Sequence, residues 1–509
     1  MEEKSGALEK IAKSATFVIV GLFISKVLAY IYKIIIARIG TEEFGLFSTG
    51  LAIIGIITTI SFLGLHEGVV RYIAFFREKK EKERMKGTFI LVITITFILS
   101  IFIAIILFIF SKEISIRFFH NEDLSMILKI LAVAIPLDVG KTIFLNVIKA
   151  FEIIKYDIYI KQILENTLKV IVTAILVYFG LSVVGATIAY VFSLLVGFIL
   201  SAYFLEKKVY PFLKDKIKPV FESKEILTYS LPLLFSGFLI MIFSWTDTLM
   251  LGNLRTISDV GIYNVAVSTA KLLYLAPFAI SIIFLPIATR LYARGSKKEI
   301  KDIYQSTTKW IFGINLLLFG YLSLFSKEIL NILFGFDYVS GWLSLIILAG
   351  GFLIMYLVNN ASYILRVIKR TRLEFSNYAI CAILNIILNY IFILKYGLLG
   401  AAIATATTSV ILGILQLAEV FYLTKLNPFN LKFLNVILAA ILTFIPLSLI
   451  ISKFNIQINL INLLIIGVLS LGIYLLSLFL TKSLDQNDNI ILKKVLNKFK
   501  LQKMKNEKS

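Results

Sequence analysis

About fourteen apolar stretches, each near the roughly 20 residues needed to cross a bilayer, punctuate this chain. They lie at about 14–36, 45–65, 87–110, 126–147, 155–178, 183–205, 227–252, 260–289, 307–325, 341–364, 374–394, 398–423, 433–452 and 460–481. They read as helices, being too long for membrane strands and lacking two-residue alternation. Of the 509 residues, 59% are apolar and 16% charged; soluble domains hold about 45–50% apolar residues and about 25% charge. Lipid is therefore the solvent for most of the chain, and the expected fold class is an all-α polytopic membrane protein. The first run follows MEEKSGALEKIAKS at full length, so it reads as a retained anchor rather than a cleaved signal.

Basic residues give the runs a direction. RYIAFFREKKEKERMKG after span 2, EKKVYPFLKDKIKP after span 6, RLYARGSKKEIK after span 8, RVIKRTR after span 10 and the tail LKKVLNKFKLQKMKNEK are dense in Lys and Arg. FGLS after span 5 and LKYG after span 11 are poor in them. About 37 of the 52 Lys and Arg fall on the even-numbered loops and the two tails, and about 7 on the odd-numbered loops. Both termini and every even-numbered loop are thus expected in the cytoplasm, with the chain in the cell membrane. The net charge of +21 is mostly this topology signal, so no nucleic-acid partner is expected. Within the tail, 490–502 places Ile491, Leu492, Val495, Leu496 and Phe499 on one stripe among lysines, as in a helix lying on anionic headgroups.

The chain also repeats itself. FSKEI occurs at 110–114 and at 325–329, an offset of 215; EFGLFS (43–48) answers DVGIYN (259–264), with Gly45 and Gly261 216 apart. GATIA (185–189) answers GAAIA (400–404), and ILAVAIPL (130–137) loosely answers ILAGGFLI (347–354). Four matches in one order at near-constant spacing indicate an internal duplication. The period covers six spans, an even number, so both copies enter from one side and are related by a pseudo-twofold axis along the membrane normal. The expected organisation is a lobe at 1–206, a basic cytoplasmic linker at 207–224, a second lobe at 225–425, an extra helix pair at 426–481 and a basic cytoplasmic tail at 482–509. FSKEI is expected to mark the same outer loop in each lobe. Gly45 and Gly261 stand at equivalent outer ends, where backbones can approach closely. Two such lobes can rock about a mid-membrane cavity, a common transporter plan.

Charges at membrane depth sharpen this reading. A lysine near the bilayer centre costs at least ~2.5–3.5 kcal/mol, yet Lys26, Lys33, Lys129, Lys141, Lys161, Lys169 and Lys271 all lie in spans, against Asp138, Glu165, Asp247 and Glu419. Lys161, Glu165 and Lys169 fall at i, i+4 and i+8 on one helical face, and Asp138 with Lys141 at i, i+3, so part of the charge is neutralised locally. Lys129 and Lys161 can snorkel from near span ends. Lys26 and Lys271 have no acid within one turn. They must pair across helices, face water, or bind an anion such as a phosphate. The lone Cys381 precludes an internal disulfide, and two histidines, His66 and His120, argue against histidine metal sites or histidine catalysis; neither cofactor nor metal is expected. A membrane enzyme of envelope glycan synthesis is the remoter alternative, since the outer loops are short and carry no catalytic carboxylate cluster or Asp-x-Asp motif.

ARIGTEEFGLFSTGLAIIGIITTISFLGLHEGVVRYIA (37–74), LTYSLPLLFSGFLIMIFSWTDTLMLGNLRTISDVGIYNVAVSTAKLL (227–273) and YGLLGAAIATATTSVI (396–411) resemble the polysaccharide-transporter family of O-antigen-type flippases. That family's superfamily also holds multidrug/cation antiporters and lipid II flippases. The resemblance covers the whole length, including the 6+6+2 plan. It implies a flippase for a polyprenyl-linked glycan, with the lipid tail left in the membrane lipid beside spans 13 and 14, and no enzymatic activity. It also implies a monomer working beside glycosyltransferases or a polymerase of the same pathway. Arg71 matches an arginine, and Asp247 an acid, at the family's positions; a gate or substrate-phosphate role is implied for Arg71, and a gate or coupling role for Asp247. The expected substrate-binding set is Lys26, Lys33, Arg71, Lys141, Lys169 and Lys271. The cation antiporters are the serious alternative, but many use a carboxylate in span 1, where this chain has none and two lysines. Asn359, Asn360, Asn385 and Asn389 are read either as sugar ligands or as interhelical hydrogen-bonders.

Overall fold

A computed structural model of the chain describes residues 21–212, 214–454 and 458–483; the amphipathic stretch expected at 490–502 lies outside them. Among the described residues there is no strand. Eleven helices among the described residues are long and apolar enough to cross a membrane, and a twelfth span is a pair bent by 77°. The segments at 21–37 and 155–178 complete the expected fourteen. In chain order these are α1 (21–37), α2 (Thr41–Glu78), α3 (Lys82–Phe119), α4 (Asp123–Ala150), α5 (155–178), α6 (Ser182–Val209) and α7 (Ser223–Leu254). Then come α8 (Ile257–Ala293), α9 (Lys297–Leu324 with the bent Ser326–Leu333), α10 (Phe336–Val367), α11 (Thr371–Tyr396), α12 (Leu398–Thr424), α13 (Lys432–Lys453) and α14 (Leu460–Leu480).

The backbone explains the bounds. In hydrocarbon each N–H and C=O must be paired within the chain, so helices run unbroken unless a residue forces a break. α2 breaks at Leu63 and Gly64, both left-handed with φ 49° and 72°. α5 contains a π-helical turn, Ile158–Leu164. α8 narrows to a 3-10 turn at Lys271–Tyr274. That turn lies just before Pro277, which cannot donate to the carbonyl of Leu273.

Packing divides the chain into two compact units. The first runs to Ser268 and includes Leu333–Gly341 and Ala382–Ala404; the second holds Thr269–Ile332, Trp342–Cys381 and the described residues from Thr405 on. The repeat is a pattern of sequence, whereas these units are patterns of packing: α7 and the first turns of α8 pack with α1–α6. The core of the first unit gathers Leu65, Val69, Phe76, Phe89, Ile143 and Ile148, with Phe212 from the linker. In the second unit, Phe284, Tyr304, Ile364, Leu365 and Val420 form one core. Tyr474 of α14 donates to the Gly313 carbonyl and Tyr321 of α9 to that of Leu463, which ties the extra helix to α9.

The linker is strapped down rather than loose. Phe212 is fully buried, 4.6 Å from the ring of Phe89, and Val220 N–H donates to the Glu83 carbonyl. Tyr210 donates to Asp215 across 2.6 Å. That bond holds the Asp215 carboxyl below its ordinary value, while burial pushes Tyr210 up to about 12.

The two FSKEI copies differ locally. The first is not a loop: it lies in the last turns of the 38-residue α3, which is about 57 Å long and so outruns the ~30 Å hydrocarbon core. Its Lys112 reaches Glu122 at 3.0 Å. The second sits on the 77° bend of α9, where Lys327 lies 4.6 Å from the Trp342 ring centre. Identical pentapeptides take different backbones because their tertiary partners differ. A parallel repeat, as the sequence leads one to expect, would put both on one side of the membrane. With Cys381→Ser as background, Lys112→Cys and Lys327→Cys are each expected to react with an impermeant thiol reagent from the outside. Lys80→Cys and Lys298→Cys are expected to react only after permeabilisation. Opposite labelling of positions 112 and 327 would refute the parallel repeat.

Candidate functional site

The polar interior of the first unit begins with the π-helical turn of α5. A π turn adds a residue to the helical repeat, so Lys161 leaves the expected stripe Lys161–Glu165–Lys169, and only its Glu165–Lys169 half forms. Lys161 is exposed and makes no ion pair among the described residues. Glu165 turns instead to α4, where Lys141 Nζ lies 3.0 Å from Glu165 Oε1 and 2.8 Å from Asp138 Oδ1. Lys169 stands 4.0 Å from Glu165 and 4.8 Å from the ring centre of Tyr190. Lys141 and Glu165 are 1% and 2% exposed, so burial of the charges is tolerated only because they are paired. On α6, a Cβ at Gly197 would fall 2.6 Å from Glu165 Oε1 and 3.1 Å from Lys141 Cδ. Glycine there leaves the room the ion pairs occupy.

α1 carries the lysines outside this network. Lys26 is exposed, beside exposed Phe23, Ile24 and Val27. Its neighbour Ser25 is buried and donates to Gln162 Oε1, while Asn166 donates to Ser25; these bonds fix the rotation of α1 on α5. Lys33 is half-buried and donates to Ser268 of α8 across 2.8 Å. Arg71, exposed at the end of α2, lies over the Tyr229 ring at 4.2 Å.

α7 and α8 hold the acid. Asp247 is 4% exposed; its Oδ2 accepts from the Tyr263 hydroxyl at 2.5 Å and its Oδ1 from the Thr248 N–H at 2.7 Å. Asn264 bonds Thr248 in turn. Two turns of α7 and α8 are thereby locked through the sequence pairs Asp-Thr and Tyr-Asn.

Where α2 begins, its backbone meets that of α8. A Cβ at Gly45 would fall 1.9 Å from the Ile257 carbonyl oxygen, and one at Gly261 1.9 Å from that of Thr41. The Thr41 and Ser258 hydroxyls stand 2.7 Å apart. The repeat's offset of 216 therefore maps each half of this contact onto the other. Further along, Gly64 and Gly68 of α2 admit the Ser230 carbonyl and hydroxyl of α7.

In the second unit, Lys271 is exposed on the 3-10 turn of α8. Asn359 donates to Ser281, Ser281 to Asn360, and Asn360 to Thr307, a chain of interhelical bonds joining α8, α9 and α10. In the first unit, Asn389 donates to Asn385 within α11. No group of three or more His, Cys, Asp or Glu that could hold a metal ion occurs among the described residues.

The family model described as "Polysaccharide biosynthesis protein" matches residues 11–289, more than half of the chain. The chain belongs to this family. The MatE family model matches residues 232–391 as well. An uncharacterized membrane protein of Methanocaldococcus jannaschii is 25% identical over 489 residues, covering 92% of this chain and 95% of that one. The "Probable low-salt glycan biosynthesis flippase Agl15" of Haloferax volcanii is 29% identical over 220 residues, or 43% of this chain and 46% of that one. Among solved structures, "Lipid II flippase MurJ, inward closed conformation" superposes with a TM-score of 0.74 at 18% identity, covering 91% of this chain and 98% of that one; it shows the fold. The chain thus carries this family's match over more than half of its length, on a fold like that of the MurJ structure.

Within this polysaccharide biosynthesis protein, the motif GIYN gains a physical account: Gly261 meets α2, Tyr263 bonds Asp247, and Asn264 bonds Thr248. Sequence reading missed the partner of Glu165 on another helix, and also Lys309, 3% exposed inside α9. Lys309's burial could be suspected from its place near the start of an apolar run. Glu165's rotation had no sequence signal, since π turns have no composition of their own. Removing one member of a buried ion-pair network costs about 3–5 kcal/mol. Lys141→Met is therefore expected to lower the midpoint of thermal unfolding in detergent markedly. Adding Glu165→Gln is expected to recover part of the loss. A midpoint unchanged in Lys141→Met would show that the network contributes no stability.

Proposed function

We propose that this protein carries an anionic lipid-linked oligosaccharide, a polyprenyl phosphate or diphosphate sugar, from the cytoplasmic to the outer leaflet of the cell membrane by alternating access. The termini are inside, and the sugar head crosses through a cationic cavity while the tail stays in lipid beside α13 and α14. The observation that carries this reading is the charge of α1. Between 21 and 37 it holds Lys26 and Lys33 and no carboxylate. Lysine side chains give a phosphate charge-assisted hydrogen bonds. Exposure of Lys26 at membrane depth favours a wet face, since hydrocarbon there would cost at least ~2.5–3.5 kcal/mol.

In this reading Lys26, Lys33, Arg71, Lys169 and Lys271 meet the substrate's phosphates in turn, and Lys141 holds Lys169's neighbour Glu165 in place. Asp247, locked to Tyr263, is the gate or coupling residue. The protein acts as a transporter, not an enzyme, beside the glycosyltransferases or polymerase of its pathway. The antiporter reading has the MatE match and the buried Asp247 on its side; a lysine-bearing α1 opposes it, because like charges repel an organic cation.

Lys26→Ala is expected to abolish complementation of a flippase-null strain while the protein remains inserted and abundant. Lys26→Arg is expected to keep part of the function, because the charge stays and the geometry changes. Full complementation by the alanine variant would remove Lys26 from the site.

A second expectation concerns rocking. The Thr41 and Ser258 hydroxyls are 2.7 Å apart, close enough for a disulfide between cysteines at these positions. In a Cys381→Ser background, Thr41→Cys with Ser258→Cys is expected to crosslink and to stop lipid-linked glycan reaching the outer leaflet. Reduction restores it. Undiminished transport with the crosslink complete would mean that this contact does not open.

A further inference from the structure

The second unit has a cavity of about 380 Å³ where α8, α10 and α12 end, within the roughly 300–1,000 Å³ of small-ligand sites. Three even-numbered loops converge on it, the face assigned to the cytoplasm by the lysine and arginine asymmetry. Its floor is apolar: Ala288, Ile300, Ile364, Val367 and Leu426 belong to the buried core beneath. Its mouth is cationic. Lys297 and Arg370 line it, both exposed, and neither makes an ion pair among the described residues. The nearby Arg366 is already held by Glu374 at 2.5 Å.

The first turn of α9 adds to the attraction. Gly295 and Lys297 line the cavity at the start of this 28-residue helix, and Ser296 makes no side-chain cap. The first N–H groups of a helix attract anions. Glu299 in that first turn is the opposing charge. Across the two loops, residues 290–301 hold five basic residues and one acid, and residues 366–374 hold four basic residues and one acid.

We propose that this cavity binds the phosphate of an anionic phospholipid of the adjacent leaflet, with Lys297 and Arg370 on the phosphate and the glycerol end of the tails on the apolar floor. A free phosphate ion would use the cations and gain nothing from the floor. A lipid at the depth where three spanning helices end uses both. The site stands on this geometry alone and does not depend on what the protein transports.

Native mass spectrometry of the full-length protein, purified in detergent and titrated with phosphatidylglycerol, tests it. Each lysine or arginine near an anionic surface contributes roughly fivefold to affinity, so Lys297→Ala with Arg370→Ala is expected to weaken the tightest bound lipid roughly thirtyfold. Lys298→Ala with Lys369→Ala removes the same charge from the same loops without touching the cavity lining and is expected to keep it. Lys297→Arg with Arg370→Lys, which preserves both charges, is expected to keep most of it. Equal loss in the two alanine pairs would mean diffuse attraction and no site. No loss in either would overturn the proposal outright. Displacement of the lipid by millimolar inorganic phosphate would reassign the cavity to a soluble anion and overturn the lipid.

Discussion

A bilayer core offers no water to a backbone N–H or C=O, and every other feature of this structure is built within that constraint. Regular helix is the default because it satisfies each peptide group locally. Departures from it therefore need a cause or a compensating partner. Here they cluster beside polar side chains. The π turn of α5 ends at Glu165, and the 3-10 turn of α8 begins at Lys271. The break of α10 precedes Asn359 and Asn360, and the break of α2 faces Ser230. Irregular backbone at membrane depth is tolerated where it is packed in protein or lines a polar cavity. The breaks thus trace the polar interior independently of the charges.

The meeting of α2 and α8 shows how duplication becomes contact. Thr41 and Ile257, like Gly45 and Gly261, are separated by 216 residues, and each glycine lies under the other partner's carbonyl. A pseudo-twofold axis makes such a contact self-complementary, as in an isologous dimer interface. The two backbones meet among the buried side chains of Phe44, Ile257 and Val260, with the Thr41 and Ser258 hydroxyls 2.7 Å apart. Apolar side-chain surface is buried there too, so opening the contact has a hydrophobic cost. Two states of a transporter must lie within a few kcal/mol of each other, so contacts made in a second state would have to offset that cost.

Much of the fold was legible in the sequence because span length and hydropathy are additive, one-dimensional signals. The fourteen helices fall close to the expected runs. The expectation failed where geometry depends on helical phase. The stripe 161, 165, 169 assumed 3.6 residues per turn, and the π turn removes Lys161 from it while sending Glu165 to Lys141. FSKEI looked like one loop used twice, yet one copy is helix and the other a bend. The asparagines of α10 had two readings, and their bonds to Ser281 and Thr307 are interhelical. Partners in space, unlike spans, leave no periodic trace along the chain.

Burial, more than residue type, separates the lysines into different kinds of work. Lys141, enclosed by Asp138 and Glu165, has its charge answered twice; with Lys169 the four groups sum to zero. A neutral, paired cluster adds little field at a distance. It can stiffen α4, α5 and α6, and in the proposed reading Lys169, its loosest member at 4.0 Å from Glu165, is the one that turns to an anion. The field at α1 then comes from Lys26 and Lys33 themselves, which stand on a helix with no acid between 21 and 37. Had Asp138 and Glu165 been left free, they would have cancelled those lysines and repelled an anion. The internal pairing of α4 with α5 thus leaves the lysines of α1 uncancelled by the acids Asp138 and Glu165.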